Sequence, residues 1–161
     1  GLMVTHDPEE AMSICDKVAV MNDGKIHQID TPINLLNNPK TIFVSSFILG
    51  NNIINLKKNG NSYISCLGEI NCSEYLKNTG IKSMSISPKF ISIKRSESGD
   101  AIVISKEFLG EFLIYKVSIN GNILRVRTDI NNLLNNGDKC SLSINKNSYY
   151  FLYPGAYKEY I

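Results

Sequence analysis

From residue 51 onward the chain is interrupted every few residues by glycine, asparagine and serine, and the runs between these breaks are short and largely apolar. Where such runs alternate apolar and polar residues, one face lies on a core and the other in water, which predicts strands. They fall at Ile53–Leu56, Tyr63–Leu67, Met84–Ser87, Ile91–Lys94, Ala101–Phe108, Leu113–Ile119, Ile123–Thr128, Lys139–Ile144 and Tyr149–Tyr153. Asn120-Gly121 separates two of them and is the clearest hairpin signal in the chain, because both residues tolerate the positive φ of a two-residue turn. So many strands in so short a space imply a small barrel or sandwich, and no element is long enough for an α/β enzyme core.

Residues 1–50 read differently, and the composition shifts at Gly50-Asn51-Asn52. Gly1–Thr5 is short, apolar and partly β-branched, as a buried strand would be, and Asp7, Pro8 and Glu10 have the chemistry of a helix start. Ala11, Met12, Ile14, Cys15 and Val18 then follow helical spacing. Val18–Met21 predicts a strand, Asn22–Lys25 a turn and Ile26–Ile29 the returning strand. Thr31 before Pro32 opens a short helix through Leu35 and Leu36 that Asn38 and Pro39 end. A further helix carries Ile42, Phe43, Phe47 and Ile48 on its apolar side. The fold class is therefore α+β, with a boundary between residues 1–50 and 51–161.

Placed at the carboxyl end of the first strand, His6 occupies the edge where open α/β sheets bind ligands. The alternative is a histidine that fills a strand-to-helix turn. His6, Asp7, Glu9 and Glu10 do not make a metal site, since a helix spreads them over different faces and no second histidine follows one turn later. Asp7 and Glu10 are explained by the free amides and dipole of the helix start. His27 has no paired nucleophile or ligand and reads as structural.

Lys and Arg number 17 against 15 Asp and Glu, a net charge of +2 that argues for neither nucleic acid nor an anionic membrane. No apolar run approaches the roughly 20 residues needed to cross a bilayer. Cys15, Cys66, Cys72 and Cys140 include no Cys-x-x-Cys pair and read as reduced thiols, mostly in the core. Tyr149–Tyr153 could stack bases, but without a basic groove it reads as a final packed strand. Arg125 and Arg127 share one strand face, open either to an anion or to solvent. No Gly-x-x-x-x-Gly-Lys-Ser/Thr loop is present to cradle phosphates.

Val4–Met12 followed by Asp16–Ile26 closely resembles the end of an ABC-transporter ATPase domain, and the match continues through Gln28, Thr31-Pro32, Leu35, Pro39, Phe43-Val44 and Phe47. The resemblance implies that 1–50 is the end of an α/β P-loop ATPase domain. It makes His6 the switch histidine, in contact with the γ-phosphate of ATP sandwiched between two ATPase subunits. Less specifically, 51–161 resembles the transport-associated OB domain of importers, through Phe108-Leu109-Gly110, Tyr115, Leu124-Arg125-Val126, Gly137-Asp138 and Leu142. Ser87-Pro88-Lys89 stands where such domains commonly have Arg-Pro-Glu, and Ser87 and Lys89 depart from that pattern.

The resemblance further implies ATP and magnesium as ligands of a complete protein, with the phosphate loop, magnesium carboxylate and signature loop lying before Gly1. On this reading the chain is a C-terminal fragment that should not bind ATP alone. The expected partners are a second copy of the subunit and membrane permease subunits, at the inner face of the cell membrane, with no nucleic acid and no direct membrane insertion. The ending Tyr153-Pro154-Gly155 and the Asp7–Met12 variant look most like ferric-iron importers, with polyamine, thiosulfate and sugar importers close by. The alternative is a non-enzymatic regulatory or dimerisation module built on the OB-type barrel.

Overall fold

A computed structural model of the chain describes residues 1–70, 80–145, 148 and 150–154. The expectations for Cys72, Tyr149 and Gly155 lie outside the described residues.

The helix expected after Asp7 is α1, Pro8–Ile14, and the Asp7 carboxylate accepts hydrogen bonds from the amides of Glu9 and Glu10 at 2.9 and 3.3 Å. It satisfies two of the donors that a helix start leaves free. The hairpin β1, Val18–Asn22, and β2, Lys25–Asp30, follows, turning at Asp23-Gly24. Thr31 caps α2, Pro32–Asn37, and Thr41 caps α3, Ile42–Leu49, each hydroxyl accepting an amide of the first turn. Ala11, Val18, Val20, Leu35 and Val44 form a small core under these elements.

Two expectations for this part need correction. Gly1–Thr5 is not a strand, and Leu2 and Val4 are 95% and 90% exposed. A strand needs a neighbour for its backbone groups, and no described strand lies beside these residues. In α3 Ile42 is buried and Phe43 and Ile48 pack partly buried against the small core as expected, but Val44 and Ser45 also face inward and Phe47 is 43% exposed. Ile42–Leu49 is apolar nearly all round, so its burial is decided by what it meets rather than by a periodic stripe.

Beyond Gly50 the chain is mostly β, in several antiparallel sheets. Strands β3, Asn52–Asn55, and β7, Ser83–Ile86, pair with β13, Tyr150–Tyr153, in the order β13-β7-β3. The small strands β4, Lys57–Asn59, β5, Ser62–Ser65, and β6, Gly68–Ile70, form a meander. Neither β4 nor β6 was legible, since Lys57-Lys58-Asn59 has no apolar alternation and Gly68-Glu69-Ile70 is too brief to show a period. The largest sheet joins β8, Ile91–Arg95; β9, Ala101–Phe108; β10, Phe112–Ile119; β11, Asn122–Asp129; and β12, Lys139–Ile144. Its order is β11-β10-β9-β12-β8, and it curls until β8 lies near β11.

The β10–β11 turn is Asn120-Gly121, with φ of 48° and 76°, and it sets the register Ile119↔Asn122. Both residues lie in the left-handed region, the geometry a two-residue turn needs to follow the strand twist. One core runs beneath these strands apart from the exposed β4, from Ile54 and Met84 through Val103, Tyr115 and Val117 to Leu124, Val126 and Cys140.

The two parts are joined by buried polar contacts. Ser45 of α3 hydrogen-bonds Ser85 of β7, and the Asn51 amide donates to both hydroxyls, at 3.2 and 3.0 Å. The Tyr153 hydroxyl donates to the Pro39 carbonyl at 2.9 Å. Asn52 clamps the backbone of Arg125 on β11, accepting its N–H at 2.7 Å and donating to its carbonyl at 2.8 Å. Because β11 is an edge strand, this side chain supplies part of what a neighbouring strand would.

Candidate functional site

His6 lies at a bend between the extended first residues and α1, and its side chain is exposed. The bend is built by short-range bonds on either side of it. The Asp7 amide donates to the Thr5 hydroxyl at 3.0 Å, and the Asp7 carbonyl accepts from Ala11 at 3.3 Å. Asp7 therefore holds the backbone of the bend and the first turn together. The imidazole has no hydrogen-bond partner among the described residues. Its position next to the capped helix agrees with expectation, but the carboxyl edge of a strand does not, since no strand precedes it.

The carboxylates considered with His6 are accounted for locally. Asp7 is the cap, and Glu9 and Glu10 lie in the first helical turn, where negative charge is favoured. Among the described residues no group of three His, Cys, Asp or Glu is placed to hold a metal ion. Cys140 is buried and Cys15 and Cys66 are partly so, and all three are free thiols. Burial pushes the Cys66 and Cys140 thiols up from their ordinary range, with the nearby Asp138 charge adding to the effect at Cys140. Higher pKa values keep them protonated and poor nucleophiles.

His27 is structural in this arrangement. Its Nδ1 lies 3.2 Å from the Thr41 hydroxyl, and its ring meets Phe43 with centroids 4.9 Å apart. Gln28, 4% exposed, spans α2 and α3: its Nε2 donates to the Asn38 carbonyl at 3.1 Å and its Oε1 accepts from the Lys40 amide at 2.9 Å. That bridge holds the connection between the two helices. The Ser45, Ser85 and Asn51 cluster was not anticipated, since serine and asparagine so close to Gly50 read as loop residues.

In the five-stranded sheet, Arg125 and Arg127 both point outward from β11. The Arg127 guanidinium stacks over the Phe112 ring, 3.7 Å from its centroid. Lys89, in a short 3-10 turn over Pro88–Phe90, lies 5.0 Å from the Phe90 centroid.

Relatives among known proteins share part of this chain. The spermidine/putrescine import ATP-binding protein PotA of Bacillus thuringiensis is 54% identical over 63 residues, 39% of this chain and 18% of that protein. The chain is related in part to importer ATP-binding subunits. The proteins of the same name from Desulfitobacterium hafniense and Trichormus variabilis are 53% and 56% identical over 53 and 52 residues, 33% and 32% of this chain and 15% and 14% of theirs. The chain thus spans less than a fifth of the length of these relatives. No family model matches it. Among the described residues, no helix is long and apolar enough to cross a membrane.

Proposed function

We propose that the chain is the C-terminal portion of the ATP-hydrolysing subunit of an ABC importer, with residues 1–50 ending its ATPase domain and 51–161 forming a transport-associated OB-like β domain. The observation that carries this reading is the exposed His6 at the bend that leads into an Asp7-capped helix, in a chain partly homologous to ATP-binding import proteins. The capped helix after His6 and the Thr5–Asp7 bond across it would fix the backbone at the imidazole and leave the ring free. Held in this way, His6 is suited to contact a γ-phosphate and to keep it in register with an attacking water, a positioning and electrostatic role.

The residues present do not by themselves fit ATP and magnesium. The sequence has no phosphate loop, and the described residues offer no metal-ligating cluster. In this proposal the remaining nucleotide contacts belong to a longer protein, which pairs with a second copy and with membrane permease subunits at the inner face of the membrane. The barrel reading is supported by the three-strand meander β9-β10-β11, flanked by β12 and β8, with β8 curling back toward β11.

For the transported solute, the names of the relatives favour a polyamine, and ferric iron gains no support from them. Reading the coding DNA upstream of Gly1 tests the proposal. A phosphate-loop sequence in the same frame is expected, and its absence contradicts a working subunit. A second reading, a non-enzymatic regulatory or dimerisation module, is favoured by the continuous core beneath the strands after Gly50. It is rejected if sedimentation of the chain finds monomer alone and calorimetry finds no heat of binding for metals, oxyanions or polyamines.

A further inference from the structure

A cleft of about 320 Å³ opens between the start of α1, the end of α3 and the outer face of the barrel. Its charged lining is Glu9, Lys89, Arg125 and Arg127, three cations against one anion. None of the three cations has an ion-pair partner among the described residues; the pair found there, Arg95 with Asp138, lies elsewhere. Three exposed cations gathered with one carboxylate leave a net positive charge along this cleft, which attracts an anion.

Each cation stands on a fixed piece of backbone. Arg127 uses its face against Phe112, which leaves its in-plane N–H groups available. Arg125 has its backbone clamped by Asn52, and its Nη1 would lie 3.8 Å from a Cβ built at Gly50. Lys89 rides on the 3-10 turn, contributing a point charge beside the two guanidinium forks. The rest of the lining is mainly apolar, with Phe47 and Leu109 exposed to it. An adjoining space shares Lys89 and Arg127 but adds Glu111 and Asp129, so its charges balance and it has no preference for an anion.

We infer that this cleft binds a small organic phosphate, its phosphoryl group held by Lys89, Arg125 and Arg127 and its apolar body against Phe47 and Leu109. Guanidinium forks match phosphoryl oxygens in pairs, and the apolar wall distinguishes an ester from the bare ion. The inference rests on the cleft alone and is independent of the function proposed above.

An amide chemical-shift titration of the 161-residue chain with phenyl phosphate tests it, with inorganic phosphate and benzyl alcohol as separate arms. Saturable shifts around Gly50, Leu109 and Phe112 are expected with phenyl phosphate, weaker binding with inorganic phosphate, and none with the alcohol. Lys89→Gln and Arg127→Gln should each weaken binding roughly fivefold, as for partly exposed charge pairs, and added salt should weaken it further. Arg95→Gln should leave it unchanged. The inference is overturned if phenyl phosphate gives no saturable shifts, if the double variant of Lys89 and Arg127 binds as well as the parent, or if inorganic phosphate binds equally well.

Discussion

Replacing Asn52 by alanine removes one side chain and orphans two backbone groups. Asn52 is 7% exposed, and its amide closes a two-bond clamp on Arg125, at 2.7 Å to the N–H and 2.8 Å to the carbonyl. Each hydrogen bond contributes about 1 kcal/mol net, and a group left buried without a partner costs about 1–3 kcal/mol. Because β11 is an edge strand and the Arg125 side chain is exposed, water recovers part of that cost. The expected loss for Asn52→Ala is therefore about 2–3 kcal/mol, or roughly 5–10 °C in melting temperature for a chain of this size.

Asn52→Asp separates hydrogen bonding from packing. Its carboxylate still accepts the Arg125 N–H, but its second oxygen faces the carbonyl without a proton to give. At neutral pH the aspartate variant should lose at least as much stability as the alanine variant, and it should recover as the carboxyl protonates. Urea unfolding with an unchanged slope is the assay, since a changed slope signals a change in exposed surface instead. If both variants stay within about 0.5 kcal/mol of the parent, the clamp is not a stabilising element and the reasoning fails.

Tyr115→Phe keeps the buried ring but takes the acceptor from the Leu134 amide, 3.1 Å away, and the donor from the Asn132 carbonyl. Urea unfolding should show a loss of about 1–3 kcal/mol, and no loss would mean that water replaces the hydroxyl. At Gly99 an added Cβ would lie 2.1 Å from the Cys140 carbonyl oxygen, so Gly99→Ala should lower the melting temperature by several degrees by calorimetry. Burial pushes the Tyr153 hydroxyl up to about 12, so the folded state holds its proton longer than the unfolded chain does. Stability from this group is complete below the ordinary tyrosine range and is lost as pH rises through about 12, and Tyr153→Phe should flatten that alkaline fall in unfolding curves.

The elements most legible in the sequence were those specified by neighbours in the chain. Asp7-Pro8, Thr31-Pro32 and Asn120-Gly121 carry their caps or turns within a few residues, and all three form as expected. Lys139–Ile144 coincides with β12 because its apolar residues keep a period of two, whereas Ala101–Phe108 coincides with β9 as a short apolar run whose alternation shows only in burial. Gly1–Thr5 failed for the complementary reason, since a strand depends on a partner that its own composition does not encode. The outward side of α3 and the Ser45–Ser85–Asn51 contacts likewise depend on residues about 40 positions away. Of the cleft, Arg125 and Arg127 were recognisable as one strand face, but only folding brings Lys89, Gly50 and Phe47 beside them.

The proposed role of His6 is tested most directly by ATP turnover in the longer protein that carries this chain, before and after His6→Ala. Nucleotide binding should be nearly unchanged, because the imidazole meets one phosphate group among many contacts. Loss of one transition-state contact should slow hydrolysis by about 10²–10³-fold, equivalent to about 2.7–4 kcal/mol. Turnover that is the same in the alanine variant would contradict the account.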